Sequence, residues 1–151
     1  MSLSDAFPEN YRKDFAQRNL KIGSVIRVYV KDTDPPKEKR FILVGQSYDN
    51  LLFATIFINS DINPNVFHTQ ELKDLNFQLL AMERPYIDHD SYADCSNIQK
   101  RNTNWLFDII GEDPTRVIGE VSESDMTEIR ARIKSARTIT PAIKKTFGLF
   151  L

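Results

Sequence analysis

The stretch KEKRFILVGQS, residues 37–47, sets Lys37, Lys39 and Arg40 immediately before a β-branched and aromatic run. A guanidinium at the mouth of a buried strand holds its N–H donors in a rigid fork, which suits an anionic ligand. The same arginine can instead close a solvated turn by pairing with a loop acid such as Asp32 or Asp34, an arrangement that contributes little to stability. DHDS, Asp88 to Ser91, is a second candidate. On a strand Asp88 and Asp90 share a side while His89 points away. With His68 the only other histidine, a structural turn is favoured over a metal centre. Cys95 can form a thiolate pair with His68 or His89, yet it lies in a strand-like run where a buried, inert thiol is expected. No GxGxxG, phosphate-cradling loop, zinc ligand set or GxSxG elbow occurs. Trp105, the only tryptophan, reads as core and not as a base-stacking platform.

The elements that must position these residues belong to one domain. A chain of 151 residues, 41% hydrophobic and 27% charged, can bury a real core and is not of disordered or collagen-like composition. The net charge of −1 hides an asymmetry. Asp61 to Asp94 holds seven acids against Lys73 and Arg84, whereas Met126 to Lys145 holds six cations against Glu128. Such a basic end fits nucleic acid or an acidic partner, and equally a solvated helix face. The cations of RARIKSAR are expected to do the latter, opposite Ile129 and Ile133. The single cysteine precludes an internal disulfide and favours a reducing compartment. No segment has the apolar core of a signal peptide or the ~18 apolar residues of a membrane span. The expectation is a cytoplasmic protein that does not enter a membrane.

Phe7, Tyr11 and Phe15, with Pro8 at a first turn, predict a short amphipathic helix within residues 1–20. SVIRVYV alternates, with Val25, Arg27 and Tyr29 on one face. KDTDPPKEK reads as a loop. RFILVGQS and LLFATIFI read as two strands buried on both faces, joined by a hairpin at Asp49-Asn50. NSDINPNVFHTQELKD is a long polar connection. LNFQLLA, YADCSNI and NWLFDII read as further strands. SESDMTEIRARIKSA is the clearest helix, capped by Ser122 with Asp125 three residues on. TITPAIKKTFG predicts another, with Thr140 as cap and Pro141 at the first position. Without strand–helix–strand alternation, the expected fold is mainly β with α, a small curled antiparallel barrel or sandwich capped by helices.

In order, IGSVIRVYV, KRFILVGQS, LLFATIFINS, SYADCSNI and RVIGEVSESDMTEIRARI resemble the PemK/MazF/Kid family of toxin ribonucleases over roughly residues 21–140. Gly23 opens the first strand, Arg40 takes the family's loop-to-strand arginine position, and Asn59-Ser60 ends the third strand. IGEVSESDMTEI matches the start of its last helix. Phe41 stands where the family usually has proline, and FINS replaces its Pro-x-Thr/Ser element.

The resemblance implies an SH3-like antiparallel β-barrel with C-terminal helices over residues 21–151, preceded by an N-terminal helical extension at residues 1–20. It implies a homodimer that cleaves single-stranded RNA without metal or other cofactor and is blocked by an antitoxin protein. Arg40 would stabilise the charge of the phosphorane, Ser60 would hydrogen-bond a phosphate oxygen, and Lys37 and Lys39 would attract the RNA backbone. Arginine, with a pKa above ~12, is a poor base, so Asp94 is the carboxylate nominated as proton acceptor. A reading from another class is a non-catalytic SH3-like barrel that binds protein or nucleic acid.

Overall fold

The computed structural model describes residues 20–30 and 37–150. The expected N-terminal helix and the Pro35-Pro36 loop lie outside the described residues. The elements are β1 (Ser24–Val30), β2 (Lys37–Gln46), β3 (Leu52–Asn59), α1 (Gln70–Lys73), β4 (Asn76–Leu79), β5 (Ser91–Asp94), β6 (Gln99–Asn102), α2 (Thr103–Glu112), β7 (Val117–Glu120), α3 (Glu123–Ser135) and α4 (Pro141–Thr146). Every ladder is antiparallel. The sheet runs β4-β5-β3-β2-β1-β7, with β6 pairing the first half of β3. It curls into a half-barrel with helices, the mainly β architecture expected from local hairpins.

The alternation of β2 and β3 explains their central place. Ile42, Val44, Ala54, Ile56 and Ile58 face one core, completed by Met126, Ile129 and Ile133 of α3. Phe41, Leu43 and Phe53 face a second core, completed by Leu106 and Ile110 of α2. Both faces are therefore covered, as the two-sided apolar pattern predicts. Ser47 and Asp49 organise the β2–β3 turn, where Ser47 Oγ donates to Asp49 Oδ1 at 2.6 Å. Asn50 adopts φ 62°, a left-handed conformation that asparagine tolerates.

Both predicted helix caps are present. Ser122 Oγ accepts from Asp125 N at 3.1 Å and Thr140 Oγ1 from Ile143 N at 3.2 Å. Lys144 Nζ donates to the carbonyls of Lys134 and Ala136 at 2.8 and 2.9 Å. A cation thus satisfies the open end of α3 and draws α4 back onto it.

Four expectations are corrected. NWLFDII is helix α2, not a strand. Asn102 Oδ1 accepts from Trp105 N at 3.1 Å to cap it, and Leu106 and Ile110, one turn apart, are its fully buried positions. Trp105 consequently stands on the solvent side of the first turn, 39% exposed, and is not core. YADCSNI is strand only to Asp94, whose Oδ1 accepts from Ser96 N at 2.9 Å and turns the chain. Lys37–Lys39 extend β2 and are not loop.

Gly45 follows a bulge in the β2–β3 ladder. A Cβ there would lie 2.9 Å from Phe147 O and 3.1 Å from Phe147 Cβ. The C-terminal segment thus closes onto the sheet only because position 45 has no side chain. Gly45→Ala is expected to cost about 1–3 kcal/mol, as overpacking does, and to lower the thermal midpoint by several degrees. An unchanged midpoint would show that the segment shifts without cost.

Candidate active site

β1 and β2 set Arg27 and Arg40 directly opposite one another, and Arg40 also lies opposite Ile58 of β3. These side chains share the face of the α3 core, since Val25, Ile42 and Ile56, two positions behind them, are buried there. Past Ile58 that core gives way to solvent, and Ser60 follows β3 at the exposed rim.

The chain returns to this rim after β4. Tyr86 and Ile87 are buried in the core and fix the approach of DHDS. Asp90 Oδ1 accepts from Ala81 N and Ser91 Oγ donates to His89 O, each at 2.9 Å. The loop so shaped brings His89 Nε2 to 2.9 Å from Ser60 Oγ. His89 Nδ1 is 2.7 Å from Asp88 Oδ1, and Asp88 Oδ2 is 4.0 Å from Arg40 Nη2. Ser60, His89, Asp88 and Arg40 form one continuous row across strand ends and loop.

The proton positions follow from valence. Ionised Asp88 only accepts, so Nδ1 of neutral His89 carries the hydrogen, Nε2 is the free acceptor and Ser60 donates to it. The hydrogen bond from His89, with backbone donation and the Arg40 charge, holds Asp88 below the ordinary carboxylate range. Stability gained this way is present above pH ~4 and is lost as pH falls through the depressed value.

Arg40 Nε is buried without a hydrogen-bond partner, and the one acid paired with it among the described residues is Asp88 at 4.0 Å. Its donors are thus largely uncommitted. Asp32 and Asp34, the loop acids considered for it, lie outside the described residues. Two clefts, of about 330 and 680 Å³, open on either side of Arg84 and include none of Ser60, Asp88, His89 or Arg40. The row is an open face, a form suited to an extended polymer more than to an enclosed small molecule.

The structure joins Arg40 and Ser60 but separates the other nominated residues from them. Asp94 follows Ala93, which pairs with Ile58 and points into the α3 core, so its carboxylate lies on the opposite face. There it accepts from Ser96 Oγ at 2.5 Å. Lys37 and Lys39 alternate with Arg40 and share that opposite face. Lys39 donates to Asn59 Oδ1 and lies 5.1 Å from the Phe57 ring centroid. Burial, then the neighbouring Lys37 charge, lowers its pKa. Cys95 is fully buried, and burial pushes its thiol up to about 12.

The joining of His89 and Asp88 to Ser60 and Arg40 is the part of the site that sequence reasoning does not reach. DHDS drew notice as a metal cluster, but among the described residues no group of three or more His, Cys, Asp or Glu is placed to hold a metal ion. Its partner Ser60 is 29 residues away, a distance no local motif spans. Comparison with protein-family models and with curated proteins finds no match to this chain.

Proposed function

We propose that this protein is a toxin-type endoribonuclease that cleaves single-stranded RNA with its own side chains, without metal. The hydrogen-bonded run from Ser60 through His89 to Asp88, with Arg40 beyond it, carries this reading. His89 Nε2 takes the proton of a ribose 2′-OH as that oxygen attacks the adjacent phosphorus. Asp88 keeps the imidazole in the right tautomer and steadies the imidazolium that forms. Arg40 meets the charge that builds on the phosphorane oxygens, and Ser60, released from His89, hydrogen-bonds a phosphate oxygen. The leaving 5′-oxygen takes its proton from solvent, to which the rim is open. The products are a 2′,3′-cyclic phosphate and a 5′-hydroxyl, and a deoxyribose at the scissile position blocks the reaction.

The test is cleavage of single-stranded RNA by the purified chain. Arg40→Ala is expected to lower kcat/KM by about 10²–10³-fold, the cost of losing one charge-stabilising donor. In cells, induced expression of the wild type should arrest growth and the variant should not, with a small antitoxin as the neutralising partner and a homodimer as the active species. Equal cleavage by both proteins, or none by either, overturns the mechanism.

A second reading rests on the openness of the row, where Asp88 and His89 side chains are 73% and 55% exposed. A non-catalytic barrel that binds nucleic acid through this face would give binding without products in the same assay.

A further inference from the structure

Arg27 and Tyr29 have no role in the row just described, yet both lie on its face. The alternation of β1 puts them on the side of Val25. Arg27 is paired with Arg40, and Tyr29 with Glu38. Like charges directly opposite on a sheet repel, so the two guanidinium groups cost stability unless an anion lies between or over them. Their acid neighbours do not saturate them. Arg27 Nε is 3.2 Å from Glu38 Oε1 but is buried without an aligned hydrogen bond, and Arg40 Nε is likewise unsatisfied. Arg116, at the near end of β7, spends Nη1 on the Arg27 carbonyl at 3.2 Å and pairs with Asp113 at 3.9 Å. Tyr29 is 57% exposed, an aromatic face held on a strand beside these cations.

We infer that Arg27 and Tyr29 form a second nucleotide position, Arg27 holding the phosphate next to the scissile one and Tyr29 stacking its base. The chain of a single-stranded RNA then crosses the sheet from Ser60 over Arg40 to β1. Glu38 guards the position when it is empty, and the phosphate displaces it from Arg27. Stacking on Tyr29 accepts any base, because every base has a π-face. This inference rests on the reading of the row as an RNA site, but it concerns binding and not bond cleavage.

Binding of a fluorescein-labelled 2′-O-methyl oligoribonucleotide, which cannot be cleaved through its blocked 2′-oxygen, tests it by anisotropy over a range of salt. Arg27→Gln is expected to weaken binding and flatten the plot of log K against log salt by about 0.7, one phosphate contact on a single strand. Arg27→Lys should keep the wild-type slope. Tyr29→Ala should weaken binding about tenfold with no change of slope. Glu38→Gln should tighten it, a gain that no folding defect can imitate. With cleavable RNA, Arg27→Gln should raise KM and leave kcat unchanged. If the wild type binds no oligonucleotide, or Arg27→Gln keeps both affinity and slope, the second position is refuted. If binding depends on Arg27 but no RNA is cleaved, the position stands and the nuclease reading fails. If RNA is cleaved with KM unaffected by Arg27→Gln, the reverse holds.

Discussion

His89→Ala is expected to reduce the rate of RNA cleavage by about 10²–10⁴-fold, the usual contribution of a positioned general base. The folded state should hardly notice. His89 is more than half exposed and its hydrogen bonds are to Ser60 and Asp88, both at the rim, so a stability change within about 0.5 kcal/mol is expected. The measurement is single-turnover cleavage at saturating enzyme, paired with thermal unfolding. Added imidazole should return part of the rate to the alanine variant, because the cavity left at the rim is open to solvent. Full activity in His89→Ala would remove the proton acceptor from the mechanism and leave Arg40 to explain by binding alone.

Asp125→Ala should have the largest effect on stability. Arg84 Nε and Nη2 donate to the two carboxylate oxygens of Asp125, each at 2.8 Å, and Nη1 donates to Leu80 O at 3.1 Å. Both side chains are nearly buried, 13% and 10% exposed. The hydrogen bond to Asp125 is the main reason that the Arg84 pKa is raised. Removing the acid strands a buried guanidinium, at a cost of about 3 kcal/mol, the low end for a broken buried pair. For a chain of this size that is roughly 6–12 °C in Tm. Replacing both residues by apolar ones of similar volume should recover much of the loss. A single variant that melts with the wild type would mean that water reaches Arg84 freely.

The fold was more legible than the site, for reasons that differ by element. β1 was readable because its alternation is unbroken over SVIRVYV. The ends of α3 and α4 were readable because Ser122 and Thr140 cap by local chemistry. α2 was misread because Trp105, Leu106, Phe107, Ile109 and Ile110 are nearly continuous, so neither period stands out. The polar β6, QKRN, carries no apolar alternation at all and is a strand because β3 offers it an edge. Within the candidate site, Arg40 and Ser60 are nominated through order along the chain. Asp94 is nominated as proton acceptor only through the family resemblance, and strand parity sends it to the other face. His89 becomes a neighbour of Ser60 only after Tyr86 and Ile87 bury themselves, a tertiary event.

The pairing of β1 with β7 joins Ser24 to Glu120, and this has a consequence for the order of events during synthesis. Arg40, Ser60, Asp88 and His89 all precede β7 along the chain and emerge from the ribosome ahead of it. Until α3 follows, Val25, Ile42 and Ile56 lack the Ile129 and Ile133 that cover them. Loops closed over such separations form late. The nascent chain therefore carries every residue of the row before it carries the core that holds the row in place, so the row takes its geometry only once α3 has been made.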